Sequence, residues 1–129
     1  MFPTYLTFTP GSAGCVPDAT HLCLAGGRFR VEVSWSTGTG SIGDGSATGL
    51  TSESGYFWFF AASNVELVVK VLDACSFNQR FWVYAAGLTD VAVTLTVTDL
   101  RTGAVRTYHN PQGVRFLPIQ DADAFATCP

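Results

Sequence analysis

The sequence predicts an all-β fold, an antiparallel β-sandwich of about seven to eight strands with Ig-like or related Greek-key topology. Three observations carry that expectation. Several segments alternate apolar and polar residues with period 2, as half-buried strands do. No stretch repeats apolar residues at i, i+3, i+4 and i+7 over ten residues or more, so long amphipathic helices are not expected. Turn signals recur at sandwich-like intervals, and the chain's 129 residues suit one domain with a real core.

Along the chain, residues 1–14 read as an N-terminal strand and flexible tether, and 15–129 as the β-sandwich domain. "FPTYLTFTP" alternates Phe2, Thr4, Leu6 and Phe8 against Pro3, Tyr5, Thr7 and Thr9, and "GSAG" follows as a joint. A second candidate strand lies near 21–24. "RFRVEVSW" places Phe29, Val31, Val33 and Trp35 on one face and Arg28, Arg30, Glu32 and Ser34 on the other, giving a strand near 28–36. The glycine-rich run 36–49 reads as a long connection. It lacks the strand, lysine and helix context that a phosphate-cradling loop needs. "SGYFWFF" predicts a strand near 55–60, and "NVELVVKVLD" one near 64–72 with a mixed back face of Glu66, Val68, Lys70 and Leu72. "RFWVYA" predicts 80–85. "DVAVTLTVTD" predicts 90–98 with Val91, Val93, Leu95 and Val97 inward and a threonine row outward. The Asp99–Gly103 segment supplies hairpin chemistry leading into a strand near 104–108, and an irregular tail is expected after Pro111.

Composition excludes several function classes. The formal charge is -3 and Lys70 is the single lysine, so there is no basic stripe for phosphate backbones and nucleic acid is not an expected partner. Apolar runs stop short of the roughly 20 residues needed to span a bilayer as a helix, so no transmembrane segment is expected. The start lacks the charged and apolar regions of a secretory signal and reads as a mature portion with an added methionine, or as a fragment of something longer. Four cysteines, Cys15, Cys23, Cys75 and Cys128, match no metal or redox spacing. They predict two disulfides, hence a secreted or cell-surface protein. Three pairings are open and the sequence does not decide among them. The preferred one ties Cys15 to Cys128 and Cys23 to Cys75.

The runs "CLAGGRFRVEVSW", "SGYFWFF", "NVELVVKVLDAC", "RFWVYAAGLTDVAVTLTVTD" and "TGAVRTYHNPQG" resemble an uncharacterised β-rich module of secreted or surface proteins of bacteria. The resemblance covers roughly residues 15–128. It implies secretion and a β-rich module, and it transfers no catalytic residue because no activity is assigned to the family.

The residues nominate no enzyme. His21 and His109 sit in no catalytic motif, His109 being read as part of a turn, and Glu32, Glu53 and Glu66 are too scattered to nominate a glycosidase pair. No cofactor is implied; among metals, calcium fits better than zinc, through the loop carboxylates Asp121, Asp123 and Asp44. The aromatics say more. In "YFWFF", Tyr56, Trp58 and Phe60 face one way while Phe57 and Phe59 face the other, and in "RFWVYA" Phe81 and Val83 oppose Trp82 and Tyr84. A sandwich core takes one set only. The second is expected to be covered by the domain itself or by a partner, because large apolar patches rarely stay bare. The expected function is therefore a non-enzymatic extracellular structural or interaction module. Its interface residues are Phe2, Leu6, Phe8, Tyr56, Trp58, Trp82 and Tyr84, and its partners are copies of itself or other extracellular proteins, joined in fibres or filaments through the N-terminal strand. The alternative is polysaccharide binding by exposed Trp and Tyr on a sheet face.

Overall fold

The computed structural model describes residues 15–129. In chain order the elements are β1 (Leu22–Leu24), β2 (Phe29–Ser36), β3 (Ile42–Asp44), β4 (Ser46–Thr51), β5 (Ser54–Trp58), β6 (Val65–Ala74), the single helical turn α1 (Cys75–Asn78), β7 (Arg80–Gly87), β8 (Ala92–Asp99), β9 (Val105–Asn110) and β10 (Ile119–Phe125). They form two antiparallel sheets packed face to face, so the fold is an all-β sandwich. The first sheet runs β1-β2-β8-β9, with β3 pairing the second half of β2; the second runs β10-β7-β6-β5-β4.

The alternating segments build the core. Phe29, Val31 and Val33 of β2 and Val93, Leu95 and Val97 of β8 point inward from the first sheet, meeting Phe57, Leu67, Val69, Val71, Phe81 and Val83 from the second. Each such side chain contributes roughly 1.5–3 kcal/mol when fully buried. Phe29 is the hub, with the rings of Phe81 and Phe125 each 5.0 Å from its centroid.

Three local expectations change. The glycine-rich run 36–49 is not simply a connection, because β3 and most of β4 lie in it. Small residues make these strands invisible to hydrophobic patterning, yet the fold requires them small. A Cβ on Gly43 would lie 2.6 Å from the Trp35 ring, and one on Gly45 would lie 3.2 Å from both Phe57 and Phe59. The strand read at 55–60 ends at Trp58. Phe60 therefore leaves the sheet and packs with Phe59 around Trp35, at 4.9 Å and 5.9 Å from it respectively, closing one end of the sandwich. The tail after Pro111 holds β10, which crosses to the second sheet and pairs with β7.

The disulfides are Cys15–Cys23 and Cys75–Cys128, which corrects the preferred pairing of Cys15 with Cys128 and Cys23 with Cys75. The reason lies in which segments become neighbours. The Ala47 N–H donates to Ala19 O at 2.8 Å, so the chain before β1 is folded back along β4, with Cys15 beside β1. Cys75 sits at the β6–β7 corner, beside the chain that leaves β10.

A buried clasp closes the opposite end. Arg28 donates from Nε to Asp99 Oδ1 at 3.0 Å and from Nη2 to Asp99 Oδ2 at 2.9 Å, a two-pronged pair with Asp99 wholly inaccessible to solvent. Its remaining N–H groups reach the carbonyls of Thr127 and Pro129 at 2.7 and 2.6 Å. The guanidinium lies 4.4 Å from the Phe81 ring centroid, so the last residues are fixed to the start of β2 through one side chain.

Candidate interaction surfaces

The first surface is the outer face of the second sheet, where the second aromatic set lies. Cross-strand register places Ser54, Lys70, Tyr84 and Gln120 in one row over β5, β6, β7 and β10, with Tyr56, Val68 and Ala86 in the row beside it. Together these rows form a shallow depression of about 420 Å³ with an apolar floor of Val68 and Ala86 and a polar rim of Ser54, Lys70, Tyr84 and Gln120.

Tyr56, Trp58, Trp82 and Tyr84 are half-buried here, and Trp82 and Tyr84 draw cover from their own face. Trp82 and Tyr84, two apart on β7, lie nearly parallel at 9° with centroids 5.9 Å apart. Phe77 of α1 stands edge-on to Trp82 at 5.6 Å, and the Lys70 ammonium lies 5.7 Å from the Tyr84 centroid. Edge-on and offset contacts of this kind are favourable beyond simple burial. The Trp82 indole N–H donates to Asn78 Oδ1 at 2.9 Å, and Asn78 in turn donates to Ala122 O. The polar end of Trp82 is thus used within the domain, and Phe77, 80% exposed, is the ring left in solvent. Phe60, grouped with Tyr56 and Trp58 in the sequence, belongs to the Trp35 cluster instead.

The second surface is the outer side of β9. Among the described residues this strand pairs with β8 alone, and four of its six residues are exposed. Its neighbour across the open side of the sandwich is β10, joined through the Tyr108 hydroxyl, which donates to Asp121 Oδ2 at 2.7 Å. Burial, then this carboxylate, push the Tyr108 phenol well above its ordinary value.

The remaining candidates are otherwise engaged. His109, expected in a turn, lies in β9 with Nδ1 3.2 Å from Thr94 Oγ1. His21 lies between two carboxylates, Asp18 at 2.8 Å and Glu32 at 3.4 Å. Hydrogen bonds from the Thr20 N–H and from His21 hold the Asp18 carboxyl below its ordinary range. Asp121 and Asp123 lie in β10 rather than in a loop tail; Asp121 accepts from Tyr108 and from the Asp123 N–H, and Asp123 faces Arg80 at 3.8 Å. Among the described residues no group of three or more His, Cys, Asp and Glu side chains gathers to hold a metal. Glu53 lies in the β4–β5 turn, and Glu66 occupies the irregularity where β6 passes from Leu67 opposite Phe57 to Val65 opposite Trp58, which buries it. Desolvation and then Asp90 raise its pKa, against a hydrogen bond from Thr89. Phe2, Leu6 and Phe8 lie outside the described residues.

The backbone edge of β9 is the surface that sequence reasoning missed. Its strand was legible, but its position at the margin of a sheet depends on pairings made far away in the chain. Comparison with known families, curated proteins and solved structures finds no match for this chain.

Proposed function

We propose that the chain is a non-enzymatic extracellular structural and interaction module that associates with copies of itself, the N-terminal segment of one adding as a strand to another. Two disulfides support an oxidising, extracellular setting, and among the described residues no helix is long and apolar enough to cross a membrane. The carrying observation is the fixed root of the N-terminal segment. Cys15 is bonded to Cys23 in β1, so the alternating segment 2–9 and its Pro10–Gly14 joint start from a covalently held point at one margin of the first sheet. Main-chain pairing would supply affinity, and the alternating Phe2, Leu6 and Phe8 would supply the apolar anchors. Light scattering on the full chain beside a form lacking residues 2–9 tests this reading. Assembly that disappears on deletion supports it, and assembly that persists refutes it.

The polar rim of Ser54, Lys70, Tyr84 and Gln120 around Val68 and Ala86 favours a second reading, a polysaccharide site on the outer face of the second sheet. Tyr84 offers a flat apolar body and a polar tip, as sugar rings require. Titration of glycans against the intrinsic Trp82 fluorescence tests it, and an unchanged spectrum across a broad panel removes it.

A further inference from the structure

We infer that the acceptor for residues 2–9 is the outer edge of β9 in a second copy of the chain, and this inference rests on the strand-addition reading above. The hydrogen-bond alternation of the β8–β9 hairpin identifies the groups involved. Asp99 donates its N–H to Ala104 O at 2.8 Å and accepts from the Gly103 N–H at 2.7 Å, so Gly103, at φ 83°, is a bulge and Asp99 faces Ala104 at the hydrogen-bonded site that closes the hairpin. In an antiparallel ladder such sites alternate with pairs whose N–H and C=O point away. With Thr98 opposite Val105, Thr96 opposite Thr107 and Thr94 opposite His109, the outward-pointing groups are those of Val105, Thr107 and His109.

The other edges are less able to take a strand. β1 and β3 have three residues each. The margin of β4 is engaged by Ala19 through Ala47 and is broken between Gly49 and Thr51. The ladder of β10 is broken between Asp121 and Phe125. β9 runs six residues in unbroken register and contains no proline; its arginine, Arg106, donates to Val105 O of the same strand at 3.2 Å, so the outward N–H groups of Val105, Thr107 and His109 are the ones offered to a partner. Between Pro3 and Pro10 the donor offers residues 4–9, a matching six.

Side-chain chemistry sets the register. Val105, Thr107 and His109 share the outer face with the threonine row of β8. Residues directly opposite one another share a face, so Tyr5, Thr7 and Thr9 would lie beside them and extend a polar sheet surface. Leu6 and Phe8 would then turn toward the side where Val114 and Leu117, 45% and 62% exposed, border the chain between β9 and β10. A depression of about 400 Å³ lies there, lined by Tyr108, Val114, Phe116, Leu117 and Ile119 among others.

The fixed root favours another copy over the chain's own β9. β1 and β9 are opposite margins of the first sheet, three strand spacings apart, roughly 14 Å. From Cys15 to Thr9 the chain has six Cα–Cα steps, at most roughly 21 Å fully extended, while a strand added outside β9 would lie one spacing further out, roughly 19 Å from β1, which leaves almost no slack to round an edge and align. A donor at one margin and an acceptor at the other is a head-to-tail contact, and repetition builds a filament.

Thr107→Pro in the full chain tests the acceptor. The Thr107 N–H points out of the fold, so this change removes no ladder hydrogen bond from the domain, while it deletes a donor to the incoming strand. Assembly should require at least roughly tenfold more protein, with the thermal midpoint of the monomer little changed. If Thr107→Pro assembles normally while deletion of 2–9 prevents assembly, strand donation stands and β9 is the wrong acceptor. If both assemble, the underlying reading fails too. Should Thr107→Pro unfold the domain, amide exchange in the unmodified full chain decides: slowing at Val105, Thr107 and His109 on going from dilute to concentrated protein supports the assignment, and slowing confined to β4 or β10 overturns it.

Discussion

Asp99→Asn should be one of the costliest single changes in the domain that leaves side-chain size intact. Asp99 has no exposed surface and Arg28 is 9% exposed, so the pair is dry and doubly hydrogen-bonded. Burial alone would raise the Asp99 carboxyl. That is outweighed by hydrogen bonds from Arg28, the Thr127 and Thr102 hydroxyls and the Arg101 N–H, which together lower it to about 2 from 3.8. The difference corresponds to about 2 kcal/mol of stability, present above the unfolded-state value and lost as pH falls through the folded one. Replacing the charge also leaves the buried guanidinium unpaired, and breaking such a pair costs about 3–5 kcal/mol. Asparagine keeps one acceptor, so a loss of about 3 kcal/mol is expected, roughly 10 °C in midpoint for a domain of this size. Thermal and urea unfolding from pH 7 down to pH 2 measure it. The deficit of the variant against the native chain should shrink between pH 4 and pH 2, where Asp99 of the unfolded chain takes up its proton while the folded carboxyl still resists it. A loss below about 1 kcal/mol at pH 7, or a deficit unchanged at pH 2, refutes the reasoning.

Other outcomes follow from the same geometry. Replacing both Cys75 and Cys128 by serine opens a loop of 53 residues and should cost about 4 kcal/mol, whereas the same change at Cys15 and Cys23 opens one of 8 and should cost about 2.5 kcal/mol; urea midpoints compare them directly. Glu66 is buried with a raised pKa, so its contribution is fully present below the ordinary carboxyl value and declines as pH rises through the folded one. Glu66→Gln should therefore be neutral or stabilising at pH 7 and gain nothing at pH 4, and a large loss at pH 7 would show that the ionised carboxylate is needed.

Period-2 alternation made β2, β6 and β8 legible, because each buries one face and the pattern is written within the strand itself. β4 escaped notice since "SATGLT" has little apolar contrast, and its pairing is mostly a matter of backbone. β10 escaped for a different reason: "IQDADAF" carries two aspartates, one answering Tyr108 and one facing Arg80 across the fold. The disulfide pairing and the edge position of β9 depend on which strands end up adjacent, and no local window contains that. For the aromatic face, the sequence showed that two opposed sets exist. It did not show that Trp82 would be flanked by Phe77 and Tyr84, with Lys70 against Tyr84, since Phe77 reaches the strip only because the β6–β7 corner winds into a helical turn.

The order of strands within the two sheets also bears on how the chain finds its fold. β4 to β7 are sequential neighbours, so most of the second sheet needs only short loops to close. In the first sheet β2 lies beside β8 with the whole run from β3 to β7 between them. Closing that interval is entropically expensive until the second sheet is there to shorten it. The meander of the middle segment should therefore form early and serve as the template on which the two ends of the chain meet, leaving the β2–β8 seam as the slow step of folding.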